Sequence, residues 1–364
     1  MLFDPRPKTR REDLFGRDKE LRMLTENANL PIVLITGIRR IGKSSILSVF
    51  LNEIDTPSVV LDLRNLQSNY GLRDLYYLLS KALSTNIDKF IEILKSLSSI
   101  KILGNEIEIK WKGKDALTLP SLFDSLNKRR CIIAMDEAQR LRGPRANEVL
   151  NAIAHAYDYD RNITFILTGS EVGLLYDFLK LEDEDSPLYG RYCYRLVVER
   201  FEKNTARDFL RRGFKELNVD IGEEELEEAI NFFDGIPGWL TFFENEYVSG
   251  NRKLDSVKNM AVNLALKEIK NIVKKRSRRY ALVLKAIAED MDSWSKVKKY
   301  IEEKEGVTVS SSILSNTINS LEDMSIIKDY KFLDPVYREA ALKLVYDIFF
   351  NSSVKLFKIR KITN

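Results

Sequence analysis

The sequence has 364 residues, of which 44% are apolar and 31% are charged, and its formal net charge is +4. This length exceeds one ordinary core and predicts two or three globular domains, whereas the lack of any run of about eighteen apolar residues argues against a membrane-spanning helix. The first residues, Met1 to Arg6, lack the apolar core of a signal peptide, so a cytoplasmic protein without a membrane partner is expected.

The cysteines and the charge distribution say less about the class of protein than its length and apolar content do. Cys131 and Cys193 lie in apolar, strand-like runs, where a buried free thiol is commoner than a disulfide partner or a metal ligand. Residues 270–364 carry 19 Lys and Arg against 12 Asp and Glu, so basicity belongs to the C-terminal end. A surplus of this size fits either a solvated surface or a phosphate-binding face.

Short apolar runs alternate with longer helical patterns through the first half of the chain, which predicts an α/β domain with a parallel sheet. The runs stay apolar over several residues, as expected of strands covered by helices on both faces. The five predicted strands are Ile32–Thr36, Val59–Leu63, Ile132–Asp136, Ile163–Thr168 and Cys193–Val198. The segment 85–118 fits this scheme poorly, with a hairpin-like run over Glu106–Trp111, and is interpreted as an insertion.

A phosphate-binding loop follows the first predicted strand. Its residues, Gly37-Ile38-Arg39-Arg40-Ile41-Gly42-Lys43-Ser44, match the P-loop pattern in full, and an apolar helical run begins at Ser45. Glycines let backbone amides curl around phosphates, and the helix N-terminus adds partial positive charge. We therefore predict that Gly37–Ser45 binds nucleotide, with Lys43 on the β- and γ-phosphates and Ser44 on Mg²⁺.

Polar residues also follow the third and fourth predicted strands. Asp136 and Glu137 end the third, at the edge where open α/β sheets bind ligands. Asp136 is predicted to hold Mg²⁺ and Glu137 to polarise the attacking water. Thr168 or Ser170, after the fourth strand, is predicted to sense the γ-phosphate or hold that water, with Thr168 preferred.

Beyond residue 198 the pattern is helical only, with predicted helices over about 204–218, 222–234, 237–249 and 254–275. A basic run over 274–279 then leads into another apolar helix, and a domain boundary is placed near residue 277. The predicted domains are a nucleotide domain over 1–200, a helical lid over 201–276 and a third domain over 277–364.

These motifs together resemble the archaeal ATPases of the AAA-related, STAND-like group of P-loop proteins. The resemblance covers most of the chain and includes the Asp136-Glu137-Ala138-Gln139 signature and Thr168-Gly169-Ser170, which resembles the first sensor. It implies a Mg²⁺-dependent ATPase with slow intrinsic turnover to ADP and phosphate. It also implies that Phe15, Gly16 and Arg17, in the box before the P-loop, help to enclose the adenine.

Further parts of the resemblance lie towards the C-terminus. Arg191, in Pro187-Leu188-Tyr189-Gly190-Arg191, resembles a trigger arginine, which acts on its own nucleotide or, after self-association, on a neighbour's; a surface salt bridge is the alternative. Pro237 belongs to a Gly-x-Pro motif whose proline lies against the base in STAND proteins. It stands where many AAA+ proteins carry a second sensor arginine, which puts lid sensing of the γ-phosphate in doubt. Residues 280 to about 345 resemble a winged helix, with a third helix over Ser310–Met324 and a wing over Ile326–Leu333.

Other classes of P-loop protein fit less well. The chain lacks the Asn-Lys-x-Asp motif with which GTPases read guanine, because its candidate segment, Asn127-Lys128-Arg129-Arg130, ends in arginine. A small-molecule kinase transfers phosphate to a substrate hydroxyl, and the pair of Asp136 and Glu137 fits activation of water better than that transfer. His155 lies between two alanines in a helical run and is predicted to be structural, with no zinc site.

Two uses of the winged helix remain open. If it binds double-stranded DNA, lysines or arginines of its third helix or wing should meet phosphates. The third helix carries no lysine or arginine, although serine and asparagine also contact DNA, and Lys296, Lys298 and Lys299 lie on the preceding helix. The alternative is a packing module that holds the ADP state closed and releases on nucleotide exchange.

Overall fold

A computed structural model of the chain describes residues 2–250 and 253–344. The chain divides into two compact units, with the boundary between Phe201 and Glu202. The sequence-based domain limits, 1–200, 201–276 and 277–364, stay predictions, and residues 1, 251–252 and 345–364 lie outside the described part of the chain.

A five-stranded parallel sheet forms the centre of the first unit, in the order β2-β5-β6-β1-β7. Its strands are β1 (Ile32–Thr36), β2 (Ser58–Asp62), β5 (Cys131–Asp136), β6 (Ile163–Gly169) and β7 (Tyr194–Val197). The predicted strands therefore agree with the structure to within one residue at each end, and the predicted α/β class with a five-stranded parallel sheet is confirmed.

The helices of the first unit are α1 (Asp18–Asn27), α2 (Lys43–Glu53), α3 (Leu72–Thr85), α4 (Ile87–Lys95), α5 (Leu119–Leu126), α6 (Ala146–Tyr159) and α7 (Val172–Leu179). The segment interpreted as an insertion contains an antiparallel hairpin of β3 (Ile100–Leu103) and β4 (Glu106–Ile109). The predicted hairpin run thus forms only the second strand, because the chain reverses at Gly104, whose φ is +62°.

Both faces of the sheet are covered, which explains why its strands are apolar throughout. Along β1, Ile32 and Leu34 join one core cluster, with residues of α3, α5 and α6. Val33 and Ile35 point the other way and join a cluster with residues of α1 and α2. The carboxyl ends of the parallel strands meet at one edge, where Thr36 pairs with Gly169 and Leu61 with Met135.

Helices make up most of the second unit. They are α8 (Lys203–Glu216), α9 (Glu223–Phe233), α10 (Pro237–Ser249), α11 (Leu254–Lys274), α12 (Arg278–Ala288), α13 (Trp294–Glu305), α14 (Ser311–Asp323) and α15 (Pro335–Leu342). The four helices predicted between 204 and 275 match α8 to α11 within two residues. Trp239, Phe233 and Phe243 are fully buried between them.

A short hairpin of β8 (Ile327–Lys328) and β9 (Lys331–Phe332) follows α14, as the winged-helix resemblance predicts. Asp329 and Tyr330 connect the strands, and both have positive φ angles, +49° and +60°. Two such residues in a two-residue loop match the right-handed twist of a tight hairpin. Asp334 then caps α15 by accepting a hydrogen bond from the backbone nitrogen of Val336.

Two further sequence expectations concern the described residues. Cys131 and Cys193 are both buried free thiols, as predicted, and burial raises the pKa of each, to about 12 for Cys131 and to about 11 for Cys193. Within the ranges 2–250 and 253–344, no helix combines the length and apolar character that crossing a bilayer requires.

Candidate functional site

The P-loop connects β1 to the first residue of α2, and its two glycines have separate roles. Gly37 has a φ of +149°, and a Cβ there would lie 2.6 Å from the carbonyl oxygen of Val198. Gly42 has a φ of +101° and precedes Lys43, the first residue of α2. Side chains at these positions would require strained backbone or, at Gly37, a displaced β7 end. The loop is therefore shaped by the glycines that the pattern requires.

Lys43 is buried and folds back over the P-loop. Its Nζ donates hydrogen bonds to the carbonyl oxygens of Gly37, at 2.8 Å, and of Ile38, at 2.9 Å. Burial lowers the pKa of Lys43 to about 8, and the negative charges of Glu137 and Asp136 oppose that shift. The ammonium group thus lies inside the loop that is predicted to surround the phosphates.

The P-loop and the end of β5 meet through a chain of hydrogen bonds. Ser44 Oγ donates to the carboxylate of Asp136, at 2.9 Å from Oδ2 and 3.1 Å from Oδ1. Thr168 Oγ1 donates to Asp136 Oδ1 from the other side, at 2.5 Å. The same Thr168 oxygen accepts a hydrogen bond from the backbone nitrogen of Glu137 at 3.0 Å. Residues from α2, β5 and β6 therefore form one connected polar cluster.

Glu137 stands beside this cluster in a restrained conformation. Its φ is +60°, which is uncommon for a residue with a side chain and typical of functional sites. Ser170 Oγ donates to Glu137 Oε2 at 2.6 Å, and the side-chain amide of Gln139 donates to the same oxygen at 2.5 Å. The two hydroxyls thus have different acceptors in the structure: Thr168 bonds to the Asp136 carboxylate and Ser170 to the Glu137 carboxylate.

Two residues at this edge received no role from the sequence. Gln139 is buried, and its Oε1 has no hydrogen-bond partner among the described residues. Arg64 follows β2 and forms an ion pair with Asp62, and the negative charges of Asp136 and Glu137 add to the rise in its pKa. Two features of the sequence could have pointed to these residues. Gln139 belongs to the Asp136-Glu137-Ala138-Gln139 signature, and Arg64 is a basic residue that follows a predicted strand.

The box before the P-loop supports the loop from outside. Arg17 is buried, and its guanidinium donates to the carbonyl oxygen of Ile41 at 3.0 Å and forms an ion pair with Glu20 at 2.8 Å. The same group lies 4.5 Å from the ring centre of Phe201, which also packs edge-on against Phe15. Arg17 therefore holds the P-loop in position, and its predicted adenine contact, like those of Phe15 and of the exposed Gly16, stays a prediction.

The remaining predicted nucleotide contacts differ in exposure. Ile38 and Arg40 are half-buried, Arg39 is exposed and Ile41 is buried. Arg40 has a φ of +67°, so the loop turns sharply at this residue. The Ser45 hydroxyl accepts a hydrogen bond from the backbone nitrogen of Lys8 at 3.0 Å, which fastens the N-terminal segment to α2.

Arg191 is engaged away from the P-loop cluster. Its guanidinium forms an ion pair with Asp158 at 2.6 Å and also donates to the carbonyl oxygen of Pro187. It lies 5.7 Å from the ring centre of Tyr157. The hydrogen bonds that Arg191 donates to the Asp158 carboxylate are the main reason why the pKa of Arg191 is raised. The structure therefore shows the surface salt bridge, and a trigger role requires Arg191 to leave Asp158.

Pro237 begins α10 in the second unit, at the first helical turn, where proline is favoured. Two residues later, Trp239 is fully buried, and its Nε1 donates to Asp334 Oδ2 at 2.7 Å. Helix α10, which Pro237 begins, is thus hydrogen-bonded through Trp239 to the residue that caps α15. The predicted contact of Pro237 with the base stays a prediction.

The functional groups of the cluster are of the kinds that bind a nucleotide together with Mg²⁺. A serine hydroxyl and a carboxylate, Ser44 and Asp136, lie within hydrogen-bonding distance of each other, and oxygen atoms of this kind are the ligands that Mg²⁺ prefers. The unpartnered buried Oε1 of Gln139 is an acceptor suited to water beside Glu137.

Comparison with known proteins agrees with these features. The model of an ATPase domain found predominantly in Archaea matches residues 14–243. A second model, the C-terminal winged helix-turn-helix domain of MCM proteins, matches residues 274–339. No curated protein matches.

Solved structures resemble the chain to different degrees. The Walker-type ATPase PABY2304 of Pyrococcus abyssi is 38% identical, with a TM-score of 0.79, over 94% of this chain and 99% of that one. A STAND protein of Pyrococcus horikoshii is 14% identical, with a TM-score of 0.45, over 93% and 44%. The ORC1 protein of Aeropyrum pernix, solved with DNA, is 16% identical, with a TM-score of 0.43, over 90% and 92%.

The model match spans more than half of the chain, and the Pyrococcus abyssi structure covers almost all of it. The P-loop, the acidic pair and the residues of β6 that contact it all lie within the matched range. The chain belongs to the family of ATPase domains found predominantly in Archaea.

Proposed function

We propose that this protein is a Mg²⁺-dependent ATPase whose nucleotide state switches the helices and winged helix of its second unit. The observation that carries the proposal is the hydrogen-bonded cluster of Ser44, Asp136 and Thr168, with Glu137 held beside it. Such an arrangement places a hydroxyl and a carboxylate for Mg²⁺ next to a second carboxylate for water.

In this proposal each residue of the cluster has one task. Lys43 exchanges its hydrogen bonds to the Gly37 and Ile38 carbonyls for the β- and γ-phosphates. Ser44 and Asp136 hold Mg²⁺, which neutralises phosphate charge when bound. Glu137 orients the attacking water and accepts its proton, after exchanging at least one of its two hydrogen-bond donors for that water. Thr168 holds the Asp136 carboxylate and the Glu137 backbone in fixed positions relative to each other.

Two more residues complete the proposed site by moving. Arg191 must leave Asp158 to bring its charge to the γ-phosphate, within the same chain or on a neighbouring copy in a self-associated form. Pro237 contacts the adenine in the nucleotide-bound state. Because both residues act only in some states, turnover without a trigger is expected to be slow.

The second unit supports a switching role through one buried contact. Trp239, two residues after Pro237, donates to Asp334 at the start of α15. Tyr337, on α15, donates to Glu268 on α11, so the helices before and after residue 277 are also bonded to each other. A shift of Pro237 on nucleotide exchange would therefore be transmitted to the proposed winged-helix domain over 277–364. The proposed lid covers 201–276 and the proposed nucleotide domain 1–200.

The test of this function is Glu137→Gln in the full chain, assayed with ATP and Mg²⁺. We expect phosphate release to fall by at least about 100-fold because glutamine cannot accept the proton, whereas bound ATP is retained. Released phosphate and the identity of the retained nucleotide are both measured. Glu171→Gln, a half-buried carboxylate near the same edge, serves as the control and keeps normal turnover. Undiminished hydrolysis by Glu137→Gln would refute the assignment of the base.

A second candidate function, binding of double-stranded DNA, rests on the wing. Lys328 and Lys331 are directly opposite each other in the β8–β9 pair, and both are exposed. Like charges in this arrangement destabilise a hairpin, so a bound phosphate would relieve the repulsion. In contrast, Lys296, Lys298 and Lys299 on α13 each lie within 4.0 Å of a carboxylate. The wing, and not α13, is therefore the proposed phosphate contact.

Salt-dependent DNA titrations of the double variant Lys328→Gln/Lys331→Gln test this second function. Removing two phosphate contacts should reduce the slope of log affinity against log salt by about 2. Lys299→Gln, an exposed lysine paired with Glu303, is the matched control. An unchanged slope in the double variant would exclude the wing as the contact, and weak, salt-independent binding by the unaltered protein would exclude DNA altogether.

A further inference from the structure

Three side chains capable of binding a metal ion meet at the amino end of the sheet, opposite the P-loop. Asp124 lies on α5, His155 lies on α6, and Asp160 follows α6 in the short link to β6. The link joins the sheet at Ile163, the first residue of β6, whereas Thr168 and the acidic pair lie at the carboxyl ends of the strands. This cluster therefore lies outside the proposed ATPase site.

One ligand atom from each of the three residues lies within 4.8 Å of the other two. His155 Nε2 is 2.7 Å from Asp124 Oδ1. Two ligand atoms at about 2.0–2.2 Å from a common ion lie roughly 3.0–3.5 Å apart. His155 Nε2 and Asp124 Oδ1 are slightly closer than this range, and Asp160 offers a third ligand atom within 4.8 Å of both, so the three residues are near enough to share one ion after their side chains adjust.

Asp160 provides an independent indication of a ligand. Its side chain is only 4% exposed, and its Oδ2 has no hydrogen-bond partner among the described residues. The backbone of Asp160 is fixed, because its nitrogen donates to Ala156 and its carbonyl oxygen accepts from Ile163. A buried carboxylate oxygen without a donor is unfavourable, and a cation would satisfy it.

The other two residues leave the cluster open to solvent on one side. The side chain of Asp124 is 52% exposed and that of His155 is 34% exposed. The imidazole of His155 also packs against the ring of Tyr159, with the ring centres 5.1 Å apart, which restricts its orientation. An ion could therefore enter from solvent on the side of Asp124 and His155 and reach the buried carboxylate of Asp160.

We propose that Asp124, His155 and Asp160 form a binding site for a divalent transition-metal ion of the zinc class, with water completing its coordination. One imidazole and two carboxylates suit Zn²⁺ and its neighbours better than Mg²⁺, which prefers oxygen ligands alone. Bound metal links α5 to the α6–β6 connection and stabilises the first unit at the edge away from the nucleotide. This assignment differs from the structural role predicted for His155, because the sequence separates it from Asp124 by 31 residues.

Calorimetric titration with Zn²⁺ tests the site in the full chain after chelator treatment and dialysis. Millimolar Mg²⁺ is present throughout to compete with Zn²⁺ for Ser44 and Asp136. We expect one equivalent of Zn²⁺ to bind, and His155→Gln and Asp160→Asn each to weaken binding by at least about 100-fold, since a direct ligand contributes more than an outer-shell partner. Glu148→Gln, an exposed carboxylate on α6 outside the cluster, should bind as the unaltered protein does.

Thermal unfolding separates loss of the site from loss of folding. Zn²⁺ at about 100 times its dissociation constant should raise the unfolding temperature of the unaltered protein by at least about 5 °C. Metal-free Asp160→Asn should be as stable as the metal-free parent, because it removes an unpartnered buried carboxylate, yet it should show no rise with Zn²⁺. Equal Zn²⁺ affinity in His155→Gln and the parent, or no Zn²⁺ binding by the parent, would overturn the proposal.

Discussion

Buried polar side chains are distributed unequally between the two units. Among the described residues, ten polar or charged side chains are buried before residue 202 and three after it. Six of the ten lie at the P-loop edge, namely Arg17, Thr36, Lys43, Asp136, Gln139 and Thr168. Burying such groups is unfavourable unless they find partners, so their concentration indicates a site maintained for chemistry, not for stability.

The three buried polar side chains of the second unit behave differently from one another. Asp334 accepts hydrogen bonds from Trp239 and from Val336, and Thr317 donates to the Ile313 carbonyl. Glu244 has no partner for either carboxylate oxygen among the described residues. Loss of a partner within the P-loop cluster is therefore expected to lower the activity of the first unit. Removal of the isolated carboxylate of Glu244 is expected to change the stability of the second unit.

The first prediction removes one partner from the P-loop cluster of the first unit. Thr168→Val removes the hydroxyl that joins Asp136 to the Glu137 backbone, and we expect ATP hydrolysis to fall about 10- to 100-fold. Thr164→Val is the matched control, because Thr164 is equally buried on β6 but bonds to Ala28 and Leu30 at the other end. Initial rates per folded molecule give the comparison.

Thr164→Val should unfold more easily, by about 1–2 kcal/mol, while its folded fraction hydrolyses ATP normally. Equal loss of activity in both threonine variants would show that the cluster has no special role.

The next effect isolates the unpartnered carboxylate of the second unit. Burial raises the pKa of Glu244 to about 7 in the folded protein, so folding favours its protonated form. Its contribution to stability is therefore unchanged below the unfolded pKa of about 4.5, becomes less favourable as the pH rises to about 7, and is constant above that. Glu244→Gln should raise the free energy of unfolding at pH 8 by roughly 2–3 kcal/mol and change it little at pH 4.

Urea titrations of Glu244→Gln and its parent from pH 4 to pH 8 measure this difference, in which groups common to both proteins cancel. Glu246→Gln, on the same helix but half-buried, controls for the loss of a charge. A stability difference that does not vary with pH would contradict the assignment to Glu244.

The last prediction compares two tryptophan side chains of the second unit. Trp239→Phe leaves Asp334 Oδ2 without its buried donor, so the free energy of unfolding should fall by about 1–3 kcal/mol. In Trp294→Phe the lost partner is only the half-buried Ser315 hydroxyl, and the expected fall is below about 1 kcal/mol. Equal losses in the two variants would show that the buried contact to Asp334 adds nothing particular.

Much of the first unit was predictable because its signals are local. Buried parallel strands must be apolar throughout, and β1, β5 and β6 were found within one residue on that basis. The P-loop demands glycine where φ is positive, so Gly37 and Gly42 identify it without any knowledge of distant residues. The hairpin in the insertion was only half found, because its first strand is short and half exposed.

The partners of the site residues could not be predicted in the same way. Thr168 and Ser170 are two residues apart, and one of them, with Thr168 preferred, was predicted to sense the γ-phosphate or hold the water, yet Thr168 bonds to Asp136 and Ser170 to Glu137. Arg191 and Asp158 are separated by 33 residues, and no pattern links them. Hydrogen bonds depend on distance and angle in space, which a linear pattern does not specify.

Local features of the sequence predicted the five strands of the parallel sheet, the helices between residues 204 and 275 and the position of the phosphate-binding loop, because periodicity and glycine requirements act over a few residues. The family was predicted from the resemblance of the motifs to those of archaeal ATPases. The folded chain adds the contacts of Lys43 with the loop carbonyls, the support of the loop by Arg17, and the grouping of His155 with Asp124 and Asp160. Those contacts depend on how parallel strands and their covering helices align the ends of distant segments, and short-range preferences carry no information about that alignment.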